Sequence, residues 1–174
     1  VPVSGGSVKR IAAGGRRPRF SPDGRWIAHW TGNVHAVGLH VRNLCRSYVV
    51  PADGGSAKEL RPDFAAAAYP VWSPDGKWIA FISDRPARPE KAGKKQVWLI
   101  STEGGEASQL TKGMFEASSI AWARDGRTLA LIAAPSASEE DEKKKDKDDA
   151  VVVDKDPKQA KIHLVRIADG STEV

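Results

Sequence analysis

Apolar and polar positions alternate in short blocks along this chain, and the blocks predict β-strands joined by tight turns. The pattern is clearest where apolar runs occupy residues 68–72, 78–82 and 97–101. These runs are rich in β-branched and aromatic side chains, which favour strands. Between the first two runs lies Ser-Pro-Asp-Gly at residues 73–76, in which proline presets φ and glycine supplies the positive φ that closes a hairpin. The stretch therefore predicts an antiparallel hairpin followed by a third strand.

A second turn and a fourth strand complete this unit. Residues 103–106 contain two adjacent glycines and predict the turn, and the polar run at 107–111 predicts the fourth strand. No segment of useful length shows the 3.6-residue periodicity of an amphipathic helix. The pattern therefore predicts an all-β protein.

The unit is repeated. The phrase WSPDGKWIAF at residues 72–81 matches FSPDGRWIAH at 20–29 and WARDGRTLAL at 122–131, at distances of 52 and 50 residues. A second phrase, GGSAKEL at 54–60, matches GGEASQL at 104–110. A fixed period near fifty residues indicates a repeat architecture, and four antiparallel strands per repeat describe a propeller blade.

The predicted fold is thus an all-β partial β-propeller of about three four-stranded antiparallel blades over residues 1–174. The approximate repeats are 17–64, 65–114 and 115–174. The third contains a charged insertion at 137–158, which cannot bury enough apolar surface to offset its ordering entropy and is expected to be mobile. Arg124 stands where the other repeats have proline, so a looser third turn is expected. The aromatic residues of the repeat, among them Trp72, Trp78, Phe81 and Trp98, are expected to pack between adjacent blades.

The repeated W-S-P-D-G-x-x-I-A-F phrase resembles the repeat of TolB-type propellers and of the N-terminal propeller in prolyl oligopeptidase-family serine peptidases. The phrase VPADGG at 50–55 and the segment FISDR at 81–85 resemble the peptidase blades. The charged insertion ahead of the apolar run at 151–153 is similar to the acylaminoacyl-peptidase branch. The resemblance extends from about Arg17 to Thr172.

This resemblance implies a non-catalytic propeller segment of a serine exo- or oligopeptidase. Its partners would be the remaining blades and an α/β-hydrolase domain of the parent chain, whose access it limits to short peptides. Three blades cannot close a ring, so the chain is expected to be a piece of a longer, cytoplasmic protein. The alternatives are a TolB-like periplasmic propeller that binds proteins, and a self-assembling structural repeat.

The charge of the chain does not add a partner to this picture. The net charge of +5 is concentrated in residues 1–30 and 84–95. A nucleic-acid partner is not predicted, because no stacking aromatic residues alternate with these charges. A membrane partner is not predicted either, since no run approaches the roughly 18 apolar residues of a spanning helix.

Candidate chemistry is sparse, and the sequence predicts no catalytic, cofactor-binding or metal-binding residue. No G-x-S-x-G nucleophile elbow is present. His29 and His163 occupy strand positions of the repeat, and the spacing of His35 and His40 does not place both rings on one strand face. Cys45 is the only cysteine and is expected to act as a small apolar residue. The pair Glu139-Glu140 copies the amine-binding Glu-Glu of dipeptidyl peptidases without its surroundings, so that role is not transferred.

Overall fold

The computed structural model describes residues 8–32, 45–64, 66–85, 94–113, 115–135 and 159–173. Within these ranges the chain forms β-strands and no helix, and each run of four consecutive strands makes one antiparallel sheet. The sheets follow each other along the chain as sheet 1, sheet 2 and sheet 3. No helix in the described part of the chain is long and apolar enough to cross a membrane.

The strands of each sheet lie side by side in chain order. Sheet 1 consists of β1 (Arg16–Phe20), β2 (Trp26–Gly32), β3 (Cys45–Pro51) and β4 (Lys58–Glu59). Sheet 2 consists of β5 (Ala68–Trp72), β6 (Trp78–Ser83), β7 (Gln96–Ser101) and β8 (Ser108–Gln109). Sheet 3 consists of β9 (Phe115–Trp122), β10 (Thr128–Pro135), β11 (Lys161–Arg166) and β12 (Thr172–Glu173). The all-β architecture with three four-stranded antiparallel sheets that the sequence predicts is confirmed.

Side-chain alternation divides the core into two layers, one on each face of sheet 2. Odd-numbered residues of β6, such as Ile79 and Phe81, pack with Ala28 and Val49 of sheet 1. The even-numbered Ala80 and Ile82 of the same strand pack with side chains of sheet 3. Apolar residues on both faces therefore hold three sheets in a stack, since each face of the middle sheet needs its own cover.

The repeated turns have the predicted geometry. The Gly76 amide donates to the Ser73 carbonyl at 2.9 Å, and Gly76 adopts φ +72°. The Ser73 hydroxyl donates to Asp75 at 2.5 Å and accepts from the Trp78 amide at 2.9 Å. Ser21 makes the same contacts in the first turn.

The third turn keeps the backbone of the other two, which corrects the expectation of a looser loop at Arg124. Gly126 adopts φ +66° and donates to the Ala123 carbonyl at 3.1 Å, and Arg127 still donates to Asp125. Proline is not required in this turn, because any residue with φ near −65° suits its position. What this turn lacks is the serine hydroxyl, because Ala123 stands in its place.

Two predicted details differ in the structure. Trp78 was expected between blades, but it lies at the end of β6 beside the turn and is 41% exposed. The fourth strand predicted at 107–111 is only two residues long. There the Thr111 hydroxyl, rather than a backbone carbonyl, accepts from the Val97 amide at 3.0 Å. The charged insertion at 137–158 lies outside the described residues.

Candidate binding surface at the inner edge

The first strands of the three sheets converge. Strand β1 packs on β5 and β5 packs on β9, whereas the fourth strands β4, β8 and β12 make no such contacts with one another. We call the side formed by β1, β5 and β9 the inner edge. Two tryptophans tie it together: Trp72 donates from its indole to the Arg19 carbonyl at 3.1 Å, and Trp122 donates to the Val71 carbonyl at 3.3 Å. Equivalent tryptophan hydrogen bonds thus link sheet 2 to sheet 1 and sheet 3 to sheet 2.

Strained bulges interrupt β1 and β5 at the same repeat position. The pairing register shifts between Arg16 and Arg19 in β1 and between Ala68 and Val71 in β5. Within the bulges, Arg17 has φ +48° and Tyr69 has φ +57°, although neither is glycine. Such backbone is costly for L residues and is commonly found at functional sites, where bulges change the direction of a side chain.

The bulges bring arginine side chains onto aromatic rings. The Arg17 guanidinium carbon lies 4.9 Å from the centre of the Tyr69 ring, and that of Arg16 lies 5.7 Å from the Trp30 ring. The two rings contact each other, with centroids 5.1 Å apart. Trp30 itself is buried between sheets 1 and 2. A fixed aromatic pair therefore supports two exposed cations.

A small depression opens beside this stack. It measures about 30 Å³ and is lined by residues that include Arg17, Arg19, Tyr69, Val71, Ser119 and Ile120. Arg17 and Arg19 are exposed, and within the described ranges no carboxylate forms an ion pair with either of them. We call this feature the inner-edge depression. Its lining combines the two cationic side chains with the Tyr69 ring and the apolar side chains of Val71 and Ile120.

A larger cavity of about 110 Å³ lies where the three sheets meet, lined among others by Cys45, Tyr69, Ile82, Asp84 and Lys95. Burial, and then the Asp84 carboxylate, raise the pKa of the Cys45 thiol, so it is protonated at neutral pH. It is therefore a poor nucleophile. One carboxylate oxygen of Asp84 is buried and has no hydrogen-bond partner among the described residues.

His29 and His163 lie in strands, as expected from the repeat. His29 in β2 is buried and stacks on Tyr48 at 5.5 Å, and its burial lowers its pKa. His163 in β11 stacks on Phe115 at 5.5 Å. No group of three or more His, Cys, Asp or Glu residues in the described ranges could hold a metal ion. His35, His40 and the pair Glu139-Glu140 fall outside those ranges.

A network of charges braces the junction of sheets 1 and 2 away from the inner edge. Arg61 pairs with Asp63 and with Glu106, and Arg85 also pairs with Glu106 at 3.2 Å. Both guanidinium groups lie over the Phe64 ring, at 5.2 and 4.6 Å. Because opposite charges already satisfy these arginines, the network is structural, in contrast to the inner-edge depression.

Solved structures show which architecture the three sheets form. At 19% identity and a TM-score of 0.62, a TolB protein of Agrobacterium tumefaciens matches 88% of this chain and 46% of its own. The acylaminoacyl peptidase of Pyrococcus horikoshii matches 90% of this chain and 23% of its own, at 18% identity and a TM-score of 0.55. The chain has a β-propeller fold.

The resemblance drawn from the repeated phrases is therefore confirmed at the level of the fold. The propeller domain of the trilobed protease of Pyrococcus furiosus, which has an open velcro topology, also matches 91% of this propeller chain and 40% of its own, at 16% identity and a TM-score of 0.52. The chain thus spans less than half of each of these structures. No family profile matches the chain.

Sequence reasoning missed the inner-edge depression. The available signal was the residue before proline, because Arg17-Pro18 and Tyr69-Pro70 occupy equivalent positions of two repeats. In the sequence the charge of β1 is part of a basic terminal run, whereas the structure places Arg17 over the Tyr69 ring of the next sheet and Arg19 in the lining of the same depression.

Proposed function

We propose that this propeller segment belongs to a serine exo- or oligopeptidase of the cytoplasm, in which it limits peptide access to an α/β-hydrolase domain. Its role there is steric, because the described residues offer an apolar stack and no activated nucleophile. The resemblance to the acylaminoacyl-peptidase branch supports this proposal, as do the fold matches to two Pyrococcus peptidases. Further blades and the hydrolase domain would be its partners, and short peptides the substrates of the parent.

The observation that carries the proposal of a larger propeller, which both candidate functions share, is the open face of sheet 3. Leu164 is 49% exposed, and Ile132 and Ile162, which pair across β10 and β11, are 41% and 66% exposed. The corresponding face of sheet 2 presents Ile82 and Val97, which sheet 3 buries to 4% and 0%. The repeat thus supplies sheet 3 with a docking face for a fourth sheet, as expected of one part of a larger propeller.

A third copy of the second repeat phrase, the one that contains two adjacent glycines, supports the same proposal at the sheet 1 end of the stack. The sequence VPVSGGSVKRI at residues 1–11 matches VPADGGSAKEL at 50–60, the end of the first repeat. In the later repeats this phrase forms the third-to-fourth strand turn and the outermost strand. The described part of the segment contacts sheet 1, where the Lys9 ammonium group donates to the Asp53 carbonyl. The phrase is consistent with a further blade beside sheet 1.

A TolB-like periplasmic propeller that binds proteins is the second candidate. It is favoured by the match to the Agrobacterium tumefaciens TolB, of which this chain spans 46%. In that case the open faces would receive further blades as well, but no hydrolase domain would follow. The two candidates therefore differ in the chemistry of the parent protein and not in the packing of the blades.

Hydrolysis by the parent protein separates these candidates. The polypeptide from the complete reading frame is assayed beside the 174-residue chain with acyl-amino-acid p-nitroanilides. We expect the parent to hydrolyse them, a serine-directed inhibitor to block it, and the short chain to be inactive. A parent with neither turnover nor a G-x-S-x-G motif would overturn the peptidase proposal in favour of the binding propeller. Inhibitor-sensitive turnover by the short chain would contradict its non-catalytic role.

A further inference from the structure

We propose that the inner-edge depression is a carboxylate-binding site and that the partner it receives is an acidic peptide segment. The site combines Arg17 and Arg19 from β1, the Tyr69 ring from β5 and the Ser119 residue of β9. All three sheets thus contribute to it. The inference holds for either parent proposed above, because it concerns what this propeller binds and not what a neighbouring domain hydrolyses.

The arginines are presented for planar recognition. Stacking on Tyr69 occupies the face of the Arg17 guanidinium, and the donors of a guanidinium lie in its plane. Those N–H groups remain available for the two oxygens of a carboxylate, which guanidinium groups bind in a bidentate manner. The strained backbone at Arg17 is what places this side chain over the ring of the next sheet. A solvated surface arginine would need no such backbone.

The size of the site suits a carboxylate. A volume of about 30 Å³ holds roughly two water molecules, at 10–15 Å³ for each, and a carboxylate group fits that space. The Ser119 residue and the side chains of Val71 and Ile120 complete the lining around the two arginines.

The surroundings favour an acidic ligand. Arg16 extends the positive strip along β1, and neither it nor Arg17 nor Arg19 forms an ion pair within the described residues. Unpaired cations that line a concave surface attract anions and accelerate their association. An extended peptide with glutamate side chains matches this strip, since its carboxylates would meet successive arginines.

Binding of short peptides to the purified full chain tests the site. The probe is acetyl-Ala-Glu-Ala-Glu-Ala amide, and its glutamine counterpart is the uncharged comparison. A glutamine peptide with a free C-terminus distinguishes a terminal carboxylate from a side-chain carboxylate. We expect the glutamate peptide to bind, and Arg17→Gln and Arg19→Gln each to weaken it about tenfold or more, because each removes a charged hydrogen bond. Arg124→Gln, which alters an exposed arginine of the third turn, is the matched control and leaves binding unchanged.

Two further measurements keep the test decisive. Arg17→Lys preserves the charge and the surface but loses the planar donors, so it should weaken binding as Arg17→Gln does. If a folded Arg17→Lys chain binds the glutamate peptide as well as the unsubstituted chain does, simple charge attraction explains the binding and the proposed carboxylate site is overturned. Equal binding of the glutamine peptide amide would overturn it too. A thymidine oligonucleotide that binds more tightly, and is lost in the same variants, would assign the surface to nucleic acid instead. Binding of only the free-acid peptide supports a site for a terminal carboxylate.

Discussion

At the scale of single residues, His29 shows how the repeat tolerates a polar side chain inside its core. It occupies the position of Phe81 and Leu131 in the other repeats, and both of its ring nitrogens are buried without a partner among the described residues. A flat ring stacked on Tyr48 replaces an apolar side chain at this position. The neutral imidazole is accepted there because only its charged form carries a large desolvation penalty.

Stability should therefore depend on pH through His29. Its pKa in the folded chain lies below the ordinary value of 6.5, so the unfolded chain binds the proton first as the pH falls. The contribution of neutral His29 is full above that value and is lost progressively below it. We expect the free energy of unfolding to decrease between about pH 7 and pH 5, and His29→Phe to flatten this decrease. Urea titrations at several pH values measure it.

The control for this prediction is Tyr48→Phe, which keeps the stacked ring and the histidine and should keep the pH dependence. The aspartates of the repeated turns do not interfere in this window, because hydrogen bonds from the serine hydroxyls hold the pKa of Asp23 and Asp75 below 3.8. If the free energy of unfolding of a His29→Phe chain falls with pH as steeply as that of the unsubstituted chain, other groups cause the loss of stability at low pH.

At the scale of elements, the hairpin turn is the unit that the sequence encodes most completely. Serine, proline, aspartate and glycine each have a separate physical role in this turn. In the structure the serine hydroxyl makes two hydrogen bonds, and the glycine adopts the positive φ that closes the turn. The turns of sheets 1 and 2 also lie against each other, because a Cβ added to Gly76 would lie 3.6 Å from a side-chain carbon of Pro22 in the preceding turn. The third turn retains the fold of the others without its serine, which permits a direct test of the hydroxyl.

We expect Ser73→Ala to lower the free energy of unfolding by about 1 kcal/mol, because it removes one hydrogen bond to Asp75 and leaves the Trp78 amide without its acceptor. The reverse change, Ala123→Ser, should raise it by up to about 1 kcal/mol. Denaturant titrations with an unchanged m value measure both effects. If neither substitution alters the midpoint, the hydroxyl is not what distinguishes the turns.

The strands and turns could be predicted because they depend on local residues, whereas the inner edge could not. The bulges that turn Arg17 and Tyr69 arise from register shifts between strands, and these depend on how three sheets converge. Trp78 shows the same limit. Its parity places it on the face of Ala80 and Ile82, but it lies at the strand end, where the next sheet does not cover it. Periodicity predicts the sheet face on which a residue lies, but not how far the neighbouring sheet extends over that face.

At the scale of the whole molecule, sheets 2 and 3 present the same apolar face, but only that of sheet 2 is covered by a following sheet. Ala80 and Ile82 of sheet 2 are buried against sheet 3, and their counterparts Ala130 and Ile132 lie on a face that no described residue buries to the same degree. Each square ångström of such apolar surface contributes about 25 cal/mol when it is covered. The isolated chain is therefore expected to associate through this face.

The pair Ile82 and Ile132 provides the decisive comparison. Ile82→Glu places a charge in the core between sheets 2 and 3, and should cost roughly 3 kcal/mol or more of stability. Ile132→Glu changes the same repeat position on the open face, so it should leave stability nearly unchanged and reduce self-association. Sedimentation across a range of concentrations and denaturant titrations measure the two effects. If the chain is a monodisperse monomer at high concentration and Ile132→Glu destabilises it as much as Ile82→Glu does, the face of sheet 3 is already covered within the chain, and it is not available to a further blade.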